Sequence, residues 1–448
     1  MKSIHERVEA LRPEIRNLAH QMHEDPELGM QEFHAVANMT ALLEKYGFTI
    51  ERNVCDLETA YIATYKGSKP GPAIGFLAEY DALKGMGHAC GHNMIGALAV
   101  CCGIALREAI DEYGGEVRVI GAPAEETLGG KVNLAAAGRY DDLAVAMMAH
   151  PFGRHGASGG FNALDSQRFE FFGKSAHAGG APWKGVNALN GVIETFNNIN
   201  ALRGHVEPDA RVAGVIRDGG KAANIVPDYA MAEFYIRHPD STYLRGFSEK
   251  VINCAKAAAL ATGTELKVTN FEGWYDDLHT NETLSRRAVE YTKAFGVTQD
   301  MEKYSSTGSS DIGNVSYRCP TIHQWFDVIG GNTGIGTHTP ELLAGADSDY
   351  GYDQLFIVAK AFVATAEDVL TDPAFLAAIR KEFDDTTCSA KYPIMQTGAA
   401  PGHIVRGRRL CIAKTGAATP RNGRRSCRPG WRRRRRSICR SCPRCEGC

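Results

Sequence analysis

Short apolar runs alternate with longer amphipathic stretches through the first third of the chain. Residues 4–22 place an apolar side chain at every third or fourth position, which predicts an amphipathic helix. Residues 73–77 and 144–148 are almost wholly apolar, as strands buried on both faces of a sheet are, and residues 94–109 between them predict a helix. Strands that alternate with helices predict an α/β layer architecture.

The pattern changes near residue 166, where the elements follow one another in a different order. The predicted order is strand, helix, strand, strand, helix, strand, at residues 167–172, 186–202, 212–217, 229–237, 243–262 and 265–268. This order is typical of a ferredoxin-like split βαβ unit. We therefore expect an α/β fold in which one α/β domain, residues 1–164 and 271–386, is interrupted by an inserted α+β (ferredoxin-like) domain in residues 165–270.

Residues 387–448 differ from the rest in composition and charge. Residues 401–448 hold 15 of the 50 Lys and Arg and 1 of the 52 Asp and Glu, which leaves an acidic body. An acidic body argues against nucleic acid as the main partner, although the basic tail alone could bind it. Between residues 439 and 448, four cysteines stand three positions apart, as in a zinc or iron–sulfur site. The missing apolar periodicity favours an irregular basic Cys-rich tail instead, disordered or encoded out of frame.

The hydropathy pattern predicts neither a membrane span nor a secretory signal. The longest apolar run, residues 94–106, is far shorter than the roughly 20 residues that span a bilayer. Seven cysteines precede residue 400 without the spacing of a disulfide framework. A hydrophobic fraction of 44% and a charged fraction of 23% are ordinary for a globular chain of 448 residues. We expect a cytoplasmic protein in a reducing compartment.

The first candidate metal ligands are Cys90 and His92, two positions apart. Thiolate and imidazole are good ligands for zinc-like ions, although a lone Cys-x-His is as often structural. Glu125 and Glu126 follow the predicted strand at residues 116–120, at the sheet edge where α/β proteins build their sites. Because neighbours in an extended segment point opposite ways, one carboxylate can bind metal while the other faces the substrate. A solvated acidic loop is the alternative.

Two histidines extend this set. His150 follows the apolar strand at 144–148, and His338 follows a glycine-rich loop that lacks the Lys-Ser/Thr of a phosphate-binding loop. A buried structural histidine is the ordinary alternative for each. Five ligand-type side chains could hold two ions that share one ligand, and ions about 3.5–4 Å apart would polarise a carbonyl and activate a bridging water. The remaining carboxylate, Glu125, would take that water's proton and pass it to the leaving amine.

In the order and spacing of these residues, the chain resembles the M20 family of metallopeptidases and amidohydrolases over residues 5–385. The resemblance is strongest to the branch of the p-aminobenzoyl-glutamate hydrolase B subunit and the β-alanyl-lysine dipeptidases. The motifs that carry it are residues 79–83, 87–93, 121–126, 149–151, 173–178, 219–228 and 307–316. It implies a mixed-sheet, zinc-peptidase-like catalytic domain and an inserted domain that serves as a lid and dimerisation domain.

The resemblance also implies a role for each candidate residue. The implied metal ligands are Cys90, His92, Glu126, His150 and His338. Glu125 matches the general base and acid, and His177 matches a histidine that reaches the neighbouring subunit's site and stabilises the tetrahedral oxyanion. Asn224 and Arg237 match residues that hold the substrate, often by its carboxylate, which an Arg fork binds bidentately. A surface charge is the alternative for Arg237, and a solvated loop for His177.

Two positions depart from many members of the family. Glu79 stands where many have a metal-binding histidine, as in the cysteine-containing branches, so Asp81 is expected to support a ligand rather than bind the metal. Asn93 stands where several relatives have an aspartate, which could weaken that support without removing a ligand.

We therefore expect a dinuclear metal-dependent amidohydrolase that cleaves the amide bond of N-acyl or aminoacyl amino acids, such as p-aminobenzoyl-glutamate or dipeptide-like substrates. The alternatives are an N-acyl-amino-acid deacylase, a β-alanyl dipeptidase or, outside the enzymes, a non-catalytic partner subunit. The expected cofactors are two Zn²⁺ or Mn²⁺ ions. The expected assembly is a homodimer or a heteromer with a sister subunit, with neither nucleic acid nor membrane as a partner. The acyl group, the native ion and the oligomer stay open.

Overall fold

The computed structural model of the chain describes residues 1–331, 334–387 and 403–405, and the strands of these residues form three sheets. In chain order the strands are β1 (Thr49–Arg52), β2 (Tyr61–Lys66), β3 (Ala73–Ala78), β4 (Glu116–Gly121), β5 (Val145–Phe152), β6 (Ala157–Ser158), β7 (Ala163–Phe172), β8 (Arg211–Asp218), β9 (Tyr229–His238), β10 (Glu265–Tyr275), β11 (Lys303–Tyr304), β12 (Thr321–Asp327) and β13 (His403–Val405).

The helices pack on both sides of the first sheet and on the second. They are α1 (Ile4–Glu24), α2 (Phe33–Lys45), α3 (His92–Tyr113), α4 (Gly130–Ala136), α5 (Ala188–Leu202), α6 (Ser241–Thr262), α7 (Glu282–Ala294), α8 (Ile312–Ser316), α9 (Pro340–Gly345), α10 (Asp349–Thr371) and α11 (Pro373–Thr387). The start of α1 is fixed by a capping box in which the side chains of Ser3 and Glu6 each bond the other's backbone N–H.

The first sheet is mixed, with the strand order β1-β2-β4-β3-β5-β12. Strand β3 is parallel to β4 and to β5, and β12 is parallel to β5, whereas β1 and β2 pair antiparallel. The carboxyl ends of the parallel strands therefore lie along one edge, which is where open α/β sheets place their ligands. Strand β5 runs to Phe152, so the expectation that His150 follows a completed strand is wrong, and His150 lies inside β5.

Helix α3 forms the centre of the main core and packs on β3, β4 and β5 as well as on α1 and α10. Its length and mean hydropathy are those of a membrane-crossing helix, but 89% of its apolar window is buried inside the protein. A helix buried to this extent is a core helix, and it packs against other apolar elements of the protein. The helix begins at His92, and this start carries the first candidate ligands into the sheet edge.

The second sheet is antiparallel, with the order β13-β10-β7-β9-β8, and α5 and α6 pack against it. It has its own hydrophobic core, in which Phe169 and Phe234 lie with ring centroids 5.5 Å apart. The chain order β7-α5-β8-β9-α6-β10 confirms the predicted ferredoxin-like insertion. The predicted domain limits at residues 165, 271 and 387 stay a prediction, and most of the predicted irregular tail lies outside the described residues.

The hydrophobic pattern of the sequence does not predict several of the described elements correctly. Strand β12 is buried along its whole length but contains His323, Gln324 and Asp327, so it does not form an apolar run. Strand β10 continues to Tyr275, beyond the predicted 265–268, because its pairing with β7 resumes after an irregularity between Asn270 and Trp274. Of the polar residues in β12, His323 lines the cavity described below, whereas Gln324 and Asp327 bond Thr292 and Tyr350.

Candidate active site

The two candidate ligands on either side of the N-cap of α3 reach the sheet because a glycine separates them. Gly91 has φ +81°, and a Cβ at this position would lie 2.3 Å from the Pro151 side chain. Only glycine accepts both this backbone conformation and this close approach. Cys90 and His92 are thereby held against the end of β5, where His150 lies.

Three overlapping groups of metal-ligating atoms meet at this edge. In each group the ligating atoms lie within 4.8 Å of one another, and the groups are Cys90–His92–His150, Cys90–Glu126–His338 and His92–Glu125–Glu126. The Cys90 Sγ lies 3.4 Å from the Nε2 of His150. The structure therefore brings together all five predicted ligands and the predicted base, although they are up to 248 positions apart in the chain.

Asp81 orients His92 in this cluster. The Nδ1 of His92 donates to the Oδ1 of Asp81 at 2.9 Å, and its Nε2 faces the other candidate ligands. The Oδ2 of Asp81 accepts the backbone N–H of Glu126 at 3.0 Å. Burial alone would raise the pKa of Asp81, but the charge and hydrogen bond of His92 hold the pKa below its ordinary value. Asp81 thus bonds two candidate ligands without being one, as a supporting carboxylate does.

The donor set fits divalent ions of the zinc type. The Nε2 of His92 and the Oε1 of Glu126 are buried without a hydrogen-bond partner in the described part of the chain. Buried polar atoms are normally bonded, so these atoms point to a ligand. One thiol, three imidazoles and a carboxylate form the mixture that zinc-like ions accept. Burial also lowers the pKa of His150 to about 4, which keeps its imidazole neutral and able to coordinate.

His338 approaches the cluster from a separate loop. Its backbone N–H donates to the carbonyl of Ala89 at 3.0 Å, and its Nε2 lies 3.3 Å from the Oε1 of Glu126. The residue has φ +64°, and α9 begins two positions later, capped by the Thr339 side chain. The sequence did not predict this short helix, which fixes the loop directly after His338.

Glu125 and Glu126 do not lie in extended chain, so the expectation that they alternate as in a strand is wrong. They stand in a turn that follows Ala124, whose φ is +60°, and the Ala124 carbonyl accepts the N–H groups of Leu128 and Gly129. The turn directs both carboxylates into the same cavity. Burial raises the pKa of Glu125 well above its ordinary value, and the charges of nearby carboxylates add to this shift.

A buried ion network beside Glu125 was not found from the sequence. The Lys131 Nζ lies 2.6 Å from the Oε1 of Glu79 and 2.6 Å from the Oδ1 of Asp311, and all three side chains are buried. Glu79, Glu125 and Asp311 place carboxylate oxygens within 4.8 Å of one another. Glu79 thus stands between the lysine and the cluster, since its second oxygen lies 3.4 Å from the Nε2 of His92. Three residues so far apart in the chain give no local signal.

Asn93 accounts for one departure from the family pattern. Its Nδ2 donates to the carbonyl oxygens of Ala19 and Ala346 at 3.2 and 2.9 Å. An aspartate could not donate to two carbonyls, so the amide suits this position. Asn93 therefore ties the start of α3 to two other elements and touches none of the predicted ligands.

The cluster opens into a cavity of about 320 Å³ that both sheets line. Arg237 and Glu272 come from β9 and β10, and Phe161 and Trp325 form an aromatic wall with His323. The Nε of Arg237 is buried without a hydrogen-bond partner in the described chain. The predicted substrate arginine therefore faces the same cavity as the predicted base. The sequence reasoning missed the aromatic wall, because its members are scattered between apolar and polar stretches.

His177 and Asn224 do not line this cavity in the described chain. They are exposed and lie side by side on the insertion, where the N–H of Ala178 donates to the Asn224 carbonyl at 2.9 Å. The Nδ1 of His177 accepts the N–H groups of Gly179 and Gly180 at 3.2 and 2.9 Å, so the ring proton is on Nε2 and points outward. Within one chain, these two predicted residues are separate from the rest of the site.

A mixed sheet with thiol, imidazole and carboxylate donors at its carboxyl edge, and a half-buried glutamate beside them, defines a metal-dependent hydrolase. Comparison with known proteins gives the class in more detail. Residues 163–263 match the family model of the M20 peptidase dimerisation domain. Xaa-Arg dipeptidase of Mus musculus is 34% identical, over 84% of this chain and 90% of its own.

Two further proteins agree with this placement. The B subunit of p-aminobenzoyl-glutamate hydrolase from Escherichia coli is 26% identical, over 87% of this chain and 96% of its own. The Bacillus subtilis YXEP protein, a dinuclear metal binding peptidase from the M20 family, has the same fold, with a TM-score of 0.61 and 21% identity over 81% of this chain and 99% of its own. The chain belongs to the M20 family of metallopeptidases and amidohydrolases, and it is an amide-bond hydrolase.

Proposed function

We propose that the chain hydrolyses the amide bond that joins an acyl or aminoacyl group to an amino acid, with two divalent ions, Zn²⁺ or Mn²⁺, as cofactors. The convergence of three donor groups on one cavity that also contains Glu125 carries this proposal. In the proposal, Cys90, His92, Glu126, His150 and His338 hold the ions. The names of the relatives support the substrate class, since a dipeptide and p-aminobenzoyl-glutamate both contain an amide bond to an amino acid.

The side chains of the cavity then divide the work of hydrolysis. When bound, the two ions supply Lewis acidity toward the amide carbonyl and the attacking water. In its ionised form, which two nearby cations would favour, Glu125 accepts the proton that the water loses as its oxygen bonds the carbonyl carbon. The same carboxyl group then delivers this proton to the amide nitrogen as the carbon–nitrogen bond breaks. The products are a carboxylic acid, whose proton passes to the released amine to give a carboxylate and an ammonium group, and Glu125 returns to its starting state.

Arg237 and the aromatic wall give the substrate its orientation. The unpartnered Nε of Arg237 can donate to the carboxylate of the amino-acid part, which the guanidinium binds bidentately. The wall of Phe161, His323 and Trp325 offers flat apolar surface on the same cavity. We propose that this wall contacts the acyl part, because aromatic surface favours flat or apolar groups.

We propose a homodimer in which the insertion of one subunit completes the cavity of the other. The exposed edge strand β8 carries Val215 and Ile216 at 50% and 44% exposure, and an apolar open edge is suited to pairing with a second chain. His177 and Asn224 lie on the same insertion and are exposed. In the dimer, the Nε2–H of His177 would donate to the oxyanion in the partner's cavity. Pairing with a sister subunit instead would leave the purified chain monomeric in the light-scattering measurement described below.

We also place the protein in the cytoplasm. The six cysteines in the described part of the chain are free thiols, and four of them are buried. Free buried thiols persist in a reducing compartment. One of the six, Cys90, must stay reduced to serve as a ligand.

A substrate panel on the metal-reconstituted protein tests the proposal. The panel contains p-aminobenzoyl-glutamate, β-alanyl-lysine, dipeptides that end in arginine, and N-acetyl amino acids. We expect metal-dependent release of a free amino acid from at least one of them, two ions per chain by elemental analysis, and a dimer by light scattering. Turnover of N-acetyl amino acids alone would favour the deacylase alternative. A dimer that binds two ions and cleaves none of the panel would contradict the proposal.

A further inference from the structure

Glu32 is a buried carboxylate outside the cavity, and both of its oxygens are engaged. The residue is 0% exposed and precedes α2. Its Oε1 accepts the backbone N–H of Ala124 at 2.8 Å, and its Oε2 accepts the hydroxyl of Thr59 at 2.8 Å. No ion pair of Glu32 occurs among the described residues. Burying a carboxylate without a cation is costly, so its retention needs a local reason.

The reason lies in the backbone that Glu32 holds. Ala124 has φ +60°, a conformation that costs an L-residue free energy and persists only where neighbours enforce it. Glu32 binds the N–H side of Ala124, and the Ala124 carbonyl closes the turn that carries Glu125 and Glu126. A rotation of Ala124 would turn both of these carboxylates at once. Among the described residues, no other side chain bonds this N–H.

The segment that ends at Glu32 also touches the second loop of the site. The carbonyl of Glu27 accepts the N–H of Ala82 at 2.8 Å, next to Asp81. Gly29 packs so closely on the turn that a Cβ there would lie 2.9 Å from the Cβ of Ala124. Residues 27–32 therefore contact both loops from behind, on the side away from the cavity.

We infer that Glu32 is a positioning residue for the reaction, which fixes the turn at Ala124 so that Glu125 and Glu126 face the cavity in their separate directions. This inference rests on the proposed roles of Glu125 and Glu126. A purely structural role would lower stability and leave each folded, metal-loaded site as active as before.

Two substitutions at Glu32 separate these possibilities. In Glu32→Gln, the amide oxygen can accept from Ala124 and the amide NH₂ can donate to the Thr59 hydroxyl, so both contacts persist. In Glu32→Leu, both are lost. For Glu32→Leu we expect kcat per metal-loaded chain to fall about 100-fold with KM little changed, and Zn²⁺ titration by calorimetry to show weaker binding, because Glu126 has moved. We expect Glu32→Gln to restore both quantities.

A second variant, Gly29→Ala, perturbs the turn at Ala124 without changing Glu32. Gly29→Ala places a methyl group against Ala124, whereas the control Gly246→Ala adds one where no heavy atom lies within 4 Å. We expect Gly29→Ala to lower kcat and Zn²⁺ affinity while the control does neither. If Glu32→Leu does not fold, Gly29→Ala decides. Wild-type kcat and Zn²⁺ affinity in folded Glu32→Leu or Gly29→Ala would overturn the inference. The Zn²⁺ titration gives a result even if the wild-type chain cleaves no amide in the panel. A failure of the proposed hydrolase activity can therefore be distinguished from a failure of the inference about Glu32.

Discussion

Asp81 and His92 are joined by a hydrogen bond of 2.9 Å between the Oδ1 of the carboxylate and the Nδ1 of the ring. The other Asp81 oxygen accepts the Glu126 N–H at 3.0 Å. Both partners are donors, so this residue must supply two acceptors. An aspartate does so and an asparagine cannot.

Replacement of Asp81 by asparagine is therefore expected to weaken metal binding about 10- to 100-fold, because one of the two donors faces the new NH₂ group. Zn²⁺ titration calorimetry measures the change. The exposed Asp142→Asn is a matched control with unchanged affinity. Equal Zn²⁺ affinities of Asp81→Asn and wild type would show that Asp81 does not orient the ligands.

The adjacent glutamates are expected to respond differently to the same substitution. Glu125→Gln cannot accept the proton of water, so kcat should fall by about 10²- to 10⁴-fold while both ions stay bound. Glu126→Gln removes a ligand charge, so the metal content should fall. Elemental analysis and steady-state kinetics on both variants provide the comparison. Loss of metal from Glu125→Gln would show that the roles of the pair are wrongly assigned.

Arg237 is expected to recognise a substrate carboxylate. A charge-assisted hydrogen bond contributes about 1.5–3 kcal/mol, so Arg237→Ala should lower kcat/KM about 10- to 100-fold for a substrate with a free carboxylate. For a substrate whose carboxylate is converted to an amide, kcat/KM should be nearly the same in wild type and in Arg237→Ala. The exposed Arg380→Ala is the control. Equal losses on both substrates would mean that Arg237 serves another part of the molecule.

His177 is expected to act across the interface of the proposed dimer. Subunits with Glu125→Gln and subunits with His177→Ala should each be nearly inactive alone. When they are mixed and allowed to exchange, a hybrid dimer combines one intact Glu125 with an intact His177 from the other subunit, and activity should return. Native mass spectrometry confirms that hybrids form. Hybrids without activity would place His177 outside the partner's reaction.

Glu32 is expected to make stability depend on pH. Burial raises its pKa to about 7, whereas an unfolded glutamate titrates near pH 4.3. The folded chain therefore keeps a proton that the unfolded chain releases, and stability falls as pH rises between these values. Relative to wild type, Glu32→Gln should gain up to about 3 kcal/mol in unfolding free energy between pH 5 and pH 8. Urea unfolding at both pH values measures this difference. If the unfolding free energies of wild type and Glu32→Gln change by the same amount between the two pH values, the prediction is contradicted.

The sequence predicts the fold well where hydrophobic periodicity is strong. The parallel strands β3 and β4, helix α3 and the order of the ferredoxin-like insertion all follow from it. It fails at β12, because His323 and Asp327 interrupt the apolar run although both are buried. It also misplaces the end of β5, since the strand continues beyond the apolar run at residues 144–148 to Phe152.

Parts of the site that depend on distant contacts are invisible in the sequence. The chemistry of their side chains identifies the candidate residues near Cys90, Glu125 and His338. It does not give the distances between them in the folded chain. Lys131 looks like an ordinary helix lysine, and only the folded chain places it between Glu79 and Asp311. Glu32 lies directly before α2, and the sequence around it indicates only that a helix begins there. Such buried polar contacts are set by tertiary packing, which no local pattern records.

The two glycine N–H groups that hold the Nδ1 of His177 have a consequence for assembly. An isolated chain already displays its imidazole in the donor form, before any second chain arrives. In the proposed dimer, docking of two copies then needs no ring flip at this position. A variant of the proposed dimer that stays monomeric would keep this histidine in the same orientation but without a second cavity to enter.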